Sequence, residues 1–172
     1  SGSDVSCASG SLATMAISTG STWTGTFTPT AETSDTTNTC AVSASSYTDT
    51  AGNNGGAGTS ANYIVDGVDP TMTISSSTVS SGTTTNDATI ALTFTSSEST
   101  TDFIEGDITL SGGSLSSFTG SGVTYTATFT PTADGATSIS VAAGEYADSA
   151  GNANTVSNTF AWTYDSTALD RK

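Results

Sequence analysis

Apolar and hydroxylated residues alternate along much of this chain. From Val123 to Thr130, the residues Val123, Tyr125, Ala127 and Phe129 point one way and Thr124, Thr126, Thr128 and Thr130 the other. Thr22–Thr28 reads the same way, with Trp23, Gly25 and Phe27 set against Thr24, Thr26 and Thr28. A period of two is the signature of a strand with one covered and one wet face. Threonine suits the wet face because its branched Cβ fits the pleat while its hydroxyl stays solvated. Further strands are predicted at Met72–Ile74, at Ala88–Thr95 with Ile90, Leu92 and Phe94 inward, and over Phe103–Leu110 with Ile108 and Leu110 inward. A short edge strand is predicted at Leu115–Phe118, and others around Ile139 and Val141, at Phe160–Tyr164, at Cys40–Ala44 and at Asn62–Val65. The Gly/Asn-rich stretch Thr48–Ser60 is predicted to be loop. No helical period occurs anywhere.

The pattern repeats. TYTATFTPTADGATSISVAAGEYADSAGNAN, Thr124–Asn154, returns in altered form as Thr22–Asn54. Trp23 answers Tyr125, Phe27 answers Phe129, Val42 answers Val141 and Tyr47 answers Tyr146, while Asp49–Asn53 answers Asp148–Asn152. Asp66-Gly67-Val68-Asp69-Pro70 is a hinge, and its counterpart begins at Asp165, 99 residues on. About seven short strands per roughly 100 residues, with a turn signal every 8–12 residues, describe an all-β protein of tandem immunoglobulin-like β-sandwich modules. Residues 69–172 make a complete repeat. Residues 1–68 match only the C-terminal part of one, because nothing in them answers Met72–Ile74 or Ala88–Thr95.

Composition narrows the function. The net charge is -14, and the two basic residues are Arg171 and Lys172 at the very end. Such a surface repels phosphate, so no nucleic-acid or anionic-lipid partner is expected. No apolar run approaches the roughly 18 residues needed to span a bilayer as a helix, so this segment is not expected to insert in a membrane. Histidine is absent, which removes Ser-His-Asp, Cys-His and His-metal schemes. The carboxylate pairs Glu105/Asp107 and Glu98/Asp102 have no obvious cleft between them, so no enzymatic activity is expected. Trp23 and Trp162 fall on the apolar side of the alternation, which argues against an exposed sugar-binding platform. Two cysteines, few lysines and much Ser, Thr and Gly point to an extracellular or cell-surface protein, with O-glycans on Ser/Thr as a further expectation. Cys7 and Cys40 stand where the second repeat has Leu110 and Ile139, both on inward strand positions. A Cys7–Cys40 disulfide is predicted; the alternative is two buried thiols acting as small hydrophobes.

The run through Phe94–Glu98, Asp102–Phe103, Gly106–Phe118, Tyr125–Gly135, Ile139–Gly144 and Asp148–Asn152 resembles the bacterial immunoglobulin-like repeats of very large secreted adhesins. The hinge Asp66-x-x-x-Pro70 matches the usual hinge of that family, whereas the second hinge carries Leu169 in place of proline. The resemblance implies a non-catalytic stalk or adhesion module whose partners are neighbouring repeats. The runner-up is a self-assembling filament or sheath subunit, whose incomplete repeat is completed by identical subunits through strand donation. Sandwich topology sends Asp66, Asp69, Glu98, Asp102, Asp148 and Asn152 toward the joint between modules. Calcium takes about six to eight oxygen ligands, and the resemblance implies calcium at such joints. The alternative is an Asp-rich hinge beside a loop in which Asp148 and Asn152 bond their own backbone.

Overall fold

A computed structural model describes residues 4–167. Leu169, Arg171 and Lys172 lie outside the described residues. The chain divides into two compact units, Ser1–Val68 and Asp69–Lys172. In the first are β1 (Val5–Cys7), β2 (Gly10–Leu12), β3 (Ala16–Thr19), β4 (Thr22–Thr24), β5 (Phe27–Pro29), β6 (Ser34–Asn38), β7 (Cys40–Val42), β8 (Gly58–Thr59) and β9 (Tyr63–Asp66). In the second are β10 (Met72–Ser76), β11 (Thr84–Thr85), β12 (Ile90–Thr100), β13 (Ile108–Ser111), β14 (Gly113–Pro131), β15 (Gly135–Val141) and β16 (Phe160–Tyr164).

The second unit is a β-sandwich. One sheet has the order β10-β12-β14, the other β11-β16-β15-β13. The central strand β12 places Ile90, Leu92 and Phe94 on one face, all essentially inaccessible to water. They share the core with Ile139, Val141, Phe160 and Trp162 of the opposite sheet. Five rings fill one end: Phe103 meets Phe118, Tyr125 and Tyr146 edge-on, and Phe94 packs against Phe103 and Phe118. Offset and edge-to-face contacts of this kind add to the burial of the rings themselves. At the other end Phe129 and Trp162 meet with ring centroids 4.9 Å apart. β14 folds back on itself. Gly112 accepts from the Thr132 N–H and Ser116 donates to the Thr128 carbonyl, and Gly120 and Gly122 take the positive φ that such a reversal requires (145° and 65°).

The first unit repeats these pairings in shorter pieces. Cys7 lies opposite Cys40 and Val5 opposite Val42, as Leu110 lies opposite Ile139 and Ile108 opposite Val141. Asn38 lies opposite Tyr63, as Thr137 lies opposite Trp162. In both units that pair is tied the same way: the Asn38 amide donates to the Tyr63 carbonyl and the Thr137 hydroxyl to the Trp162 carbonyl. Cys7 and Cys40 form a disulfide. No described residue of the first unit takes the place of β10 or β12, and the consequence is a thin core. Val65 is its one buried apolar side chain among the described residues.

Several sequence expectations are corrected. Trp23 is half exposed, at 50%, rather than core-like; Trp162, at 3%, is buried as its position suggested. Val123 is also largely exposed despite its place in the alternation. The stretch Phe103–Leu110 is not one strand. Glu105–Asp107 forms a short 3-10 turn, in which the Asp107 carboxylate accepts the Ile104 N–H, and β13 starts only at Ile108. The loop Thr48–Ser60 contains β8, which pairs with β7. The short strands β3, β6 and β11 were not expected from the pattern.

Candidate functional site

The carboxylates singled out in the second unit gather at one end of its sandwich. Thr71 and Ser97 exchange hydrogen bonds beside the first pair of the β10–β12 ladder, Met72 with Ser96. The Pro70 carbonyl accepts the Thr155 N–H. The start of the unit, the far half of β12 and the loop 142–159 therefore meet at this end. Asp69 sits there, partly buried, next to the fully buried Pro70. Glu98 is partly buried on β12, and a carboxylate oxygen of Glu98 lies within 4.8 Å of one of Asp148. Asp66 belongs to the first unit, at the end of β9, opposite Ser34.

Asp148 is a loop staple. Its Oδ1 accepts the backbone N–H groups of Ala150, Gly151 and Asn152, and its Oδ2 accepts the Asn152 side-chain amide. The first unit builds the same staple: Asp49 Oδ1 accepts from Ala51 and Asn53, and Oδ2 from the Asn53 amide. The Asp-x-Ala-Gly-Asn spacing thus has a structural job in both units. Asp102 is tied in another way. Its two oxygens accept the Ala147 N–H, and Oδ1 also accepts the Thr100 hydroxyl. Burial pushes the Asp148 carboxyl up, but the bonds from Asn152, Gly151 and Ala150 together outweigh it and hold it below the ordinary value.

A carboxyl whose folded pKa is lowered contributes stability that is fully present above its unfolded value, near 3.8, and lost as pH falls through the lower folded value. The second unit is therefore expected to lose stability on acidification below about pH 4. In Asp148→Asn the acid limb of a urea-midpoint-versus-pH curve should flatten. The same variant should cost about 1–3 kcal/mol at neutral pH, because an amide cannot reproduce the staple's acceptors. An unchanged acid limb would show that other carboxyls set it.

Asn154 is the residue that sequence reading missed. It is buried, and all four of its amide bonds are made: Oδ1 accepts from Glu145 and Tyr146, and Nδ2 donates to Ala142 and Thr155. It fixes the loop that presents Asp148. Its counterpart in the first unit is Gly55, over which the Tyr47 ring lies; a Cβ at Gly55 would come 2.1 Å from that ring. Tyr146, by contrast, is buried, with its hydroxyl bonded to Ser96 of β12. The Asn-for-Gly difference between the repeats was the signal available.

This geometry defines a class, the immunoglobulin-like β-sandwich module, used twice in one chain. The bacterial Ig-like domain family matches it over residues 1–65 and again over 66–164, and the chain belongs to that family. No curated protein and no solved structure shows a significant match.

Glu98 and Asp148 suit a hard cation. Calcium–oxygen distances are about 2.3–2.6 Å, so one ion can be shared by two carboxylate oxygens within 4.8 Å of each other. Two such groups at that distance repel when both are ionised, which a cation relieves. The Asp102 oxygens are already engaged with Ala147 and Thr100. The Asn152 amide nitrogen is engaged with Asp148.

Proposed function

We propose that this chain is a non-catalytic spacer: a segment of an extracellular stalk or adhesin built from tandem immunoglobulin-like modules. Its work is mechanical, spanning distance and holding a binding element away from a cell surface. The observation that carries this reading is the repetition itself. Two units of one family follow each other, with the same cross-strand register at Cys7/Cys40 and Leu110/Ile139. The acidic, nearly lysine-free surface suits an extracellular setting. Calcium held by Glu98 and Asp148, with Asp69 and the Asn152 side-chain oxygen as further donors, stiffens that end of the second unit.

Light scattering and small-angle scattering in calcium, then in chelator, test the reading. A monomer mass in both buffers is expected. An open-ended mass would replace the stalk by a filament of identical subunits. For the ion itself, calorimetric titration is expected to show a site of the extracellular class, with Kd about 10⁻⁴–10⁻³ M. At ten times that Kd, calcium should stabilise the second unit by about 1.4 kcal/mol, and Glu98→Gln should abolish the gain. A Tm indifferent to calcium and chelator would remove the ion from the proposal and leave the spacer standing.

A further inference from the structure

The first unit carries an open apolar groove of about 650 Å³, lined by Val5, Met15, Trp23, Val42 and Tyr47. Its lining is not arbitrary. The counterparts of Val5, Trp23, Val42 and Tyr47 in the second unit are Ile108, Tyr125, Val141 and Tyr146, and all four are buried in that unit's core. What buries them is visible. Phe94 of β12 lies opposite Tyr125 in the ladder, Phe103 packs on Tyr125 and Tyr146, and Ser96 bonds the Tyr146 hydroxyl. All of these come from β12 and the residues just after it. In the first unit Trp23 is 50% and Tyr47 47% exposed, and Val5 and Val42 are only partly buried.

We infer that this groove is a docking site for a β-strand pair of the same class as β10–β12, supplied by a polypeptide segment outside residues 4–167. The occupant's chemistry is fixed by the copy of the site that is filled. It adds an antiparallel strand along β4 and β5, a case of strand addition to an open sheet edge. In the second unit Ile90, Leu92 and Phe94 lie opposite Phe129, Ala127 and Tyr125. The docked strand therefore sets apolar residues opposite Phe27, Gly25 and Trp23, with an aromatic at the Trp23 position. A second copy of this chain is the poorer occupant. Its own β10 and β12 are hydrogen-bonded into its second unit, with β12 central to a sheet, and would have to leave it first.

The inference stands apart from the calcium and stalk readings and is tested separately. The probe is a synthetic peptide with the sequence of residues 70–103, added to the intact chain. Iodide quenching reads Trp23, because Trp162 is buried and already protected. Light scattering reads stoichiometry. The expected result is loss of the quenchable fraction together with the mass of one chain plus one peptide. A peptide carrying Leu92→Asp and Phe94→Asp should produce neither change, whereas one carrying Thr93→Ser should match the parent peptide. Trp23 still open to iodide at saturating peptide would overturn the inference. So would a chain dimer that protects Trp23 without peptide, which would give the groove to a second copy.

Discussion

Replacing Phe94 with alanine is expected to destabilise the second unit by about 3–5 kcal/mol, the usual cost of deleting a buried phenylalanine. Phe94 has no exposed surface. It sits on the central strand of its sheet and meets the rings of Phe103 and Phe118 at 5.9 and 6.4 Å. Truncation leaves a cavity beside two other aromatic rings, and large planar side chains held by one another collapse poorly into a gap. Since domains of this size hold only about 5–15 kcal/mol in all, the loss is a large share of the total. Urea unfolding checks it: the second unit's transition should move to lower denaturant with its slope unchanged. Thr95→Ala, one residue along and facing water, should move it by no more than about 0.5 kcal/mol. Comparable shifts for the two variants would mean that the alternation along β12 does not divide core from surface.

That alternation is also what made the second unit legible. Ile90, Leu92 and Phe94, then Tyr125, Ala127 and Phe129, were assigned inward by period alone, and each is buried. The repeat carried the register as well. Aligning Cys7 with Leu110 and Cys40 with Ile139 puts both cysteines on inward strand positions, and the folded unit sets them opposite one another. Trp23 marks the limit of the method. Periodicity says which way a side chain points, and it does not say whether anything lies on that side; in the first unit no described strand does. Strand β8 was hidden for a related reason. Gly58 has little strand propensity of its own, two residues show no alternation, and the ladder with Val42 and Ala41 holds them. The 3-10 turn at Glu105–Asp107 was hidden because one carboxylate bond, from Asp107 back to Ile104, overrides the apolar spacing around it. At the acidic end of the second unit, the Asp148–Asn152 spacing was readable as a self-bonded loop. Asn154 was not, because its four bonds reach Ala142, Glu145, Tyr146 and Thr155, and only the folded loop brings those groups around one amide.

Reducing the Cys7–Cys40 disulfide is expected to unfold the first unit while leaving the second folded. The bridge joins β1 to β7 across 33 residues of chain. Closing a loop of that length restricts the unfolded chain by about 3–4 kcal/mol in the chain-entropy account. The first unit has little else to set against its conformational entropy. Val65 is its one buried apolar side chain among the described residues, while Ile17, Trp23, Tyr47 and Ile64 stand in water. A domain of about 60 residues is marginal even with a full core, so removing the bridge takes away an amount comparable to its whole stability. The second unit contains no cysteine and keeps its core whether or not reductant is present. Amide exchange resolved along the chain distinguishes the two. After reduction, β1–β9 should exchange at rates near those of an unstructured chain, while β12, β14 and β15 keep their protection. Cys7→Ala/Cys40→Ala should reproduce the effect without reductant. Docking of the residue 70–103 peptide should partly restore protection in β4 and β5, because a ligand that binds only the folded form pulls the equilibrium back toward it. Full protection of β1–β9 in the reduced chain would mean that the first unit draws its stability from packing rather than from the bridge.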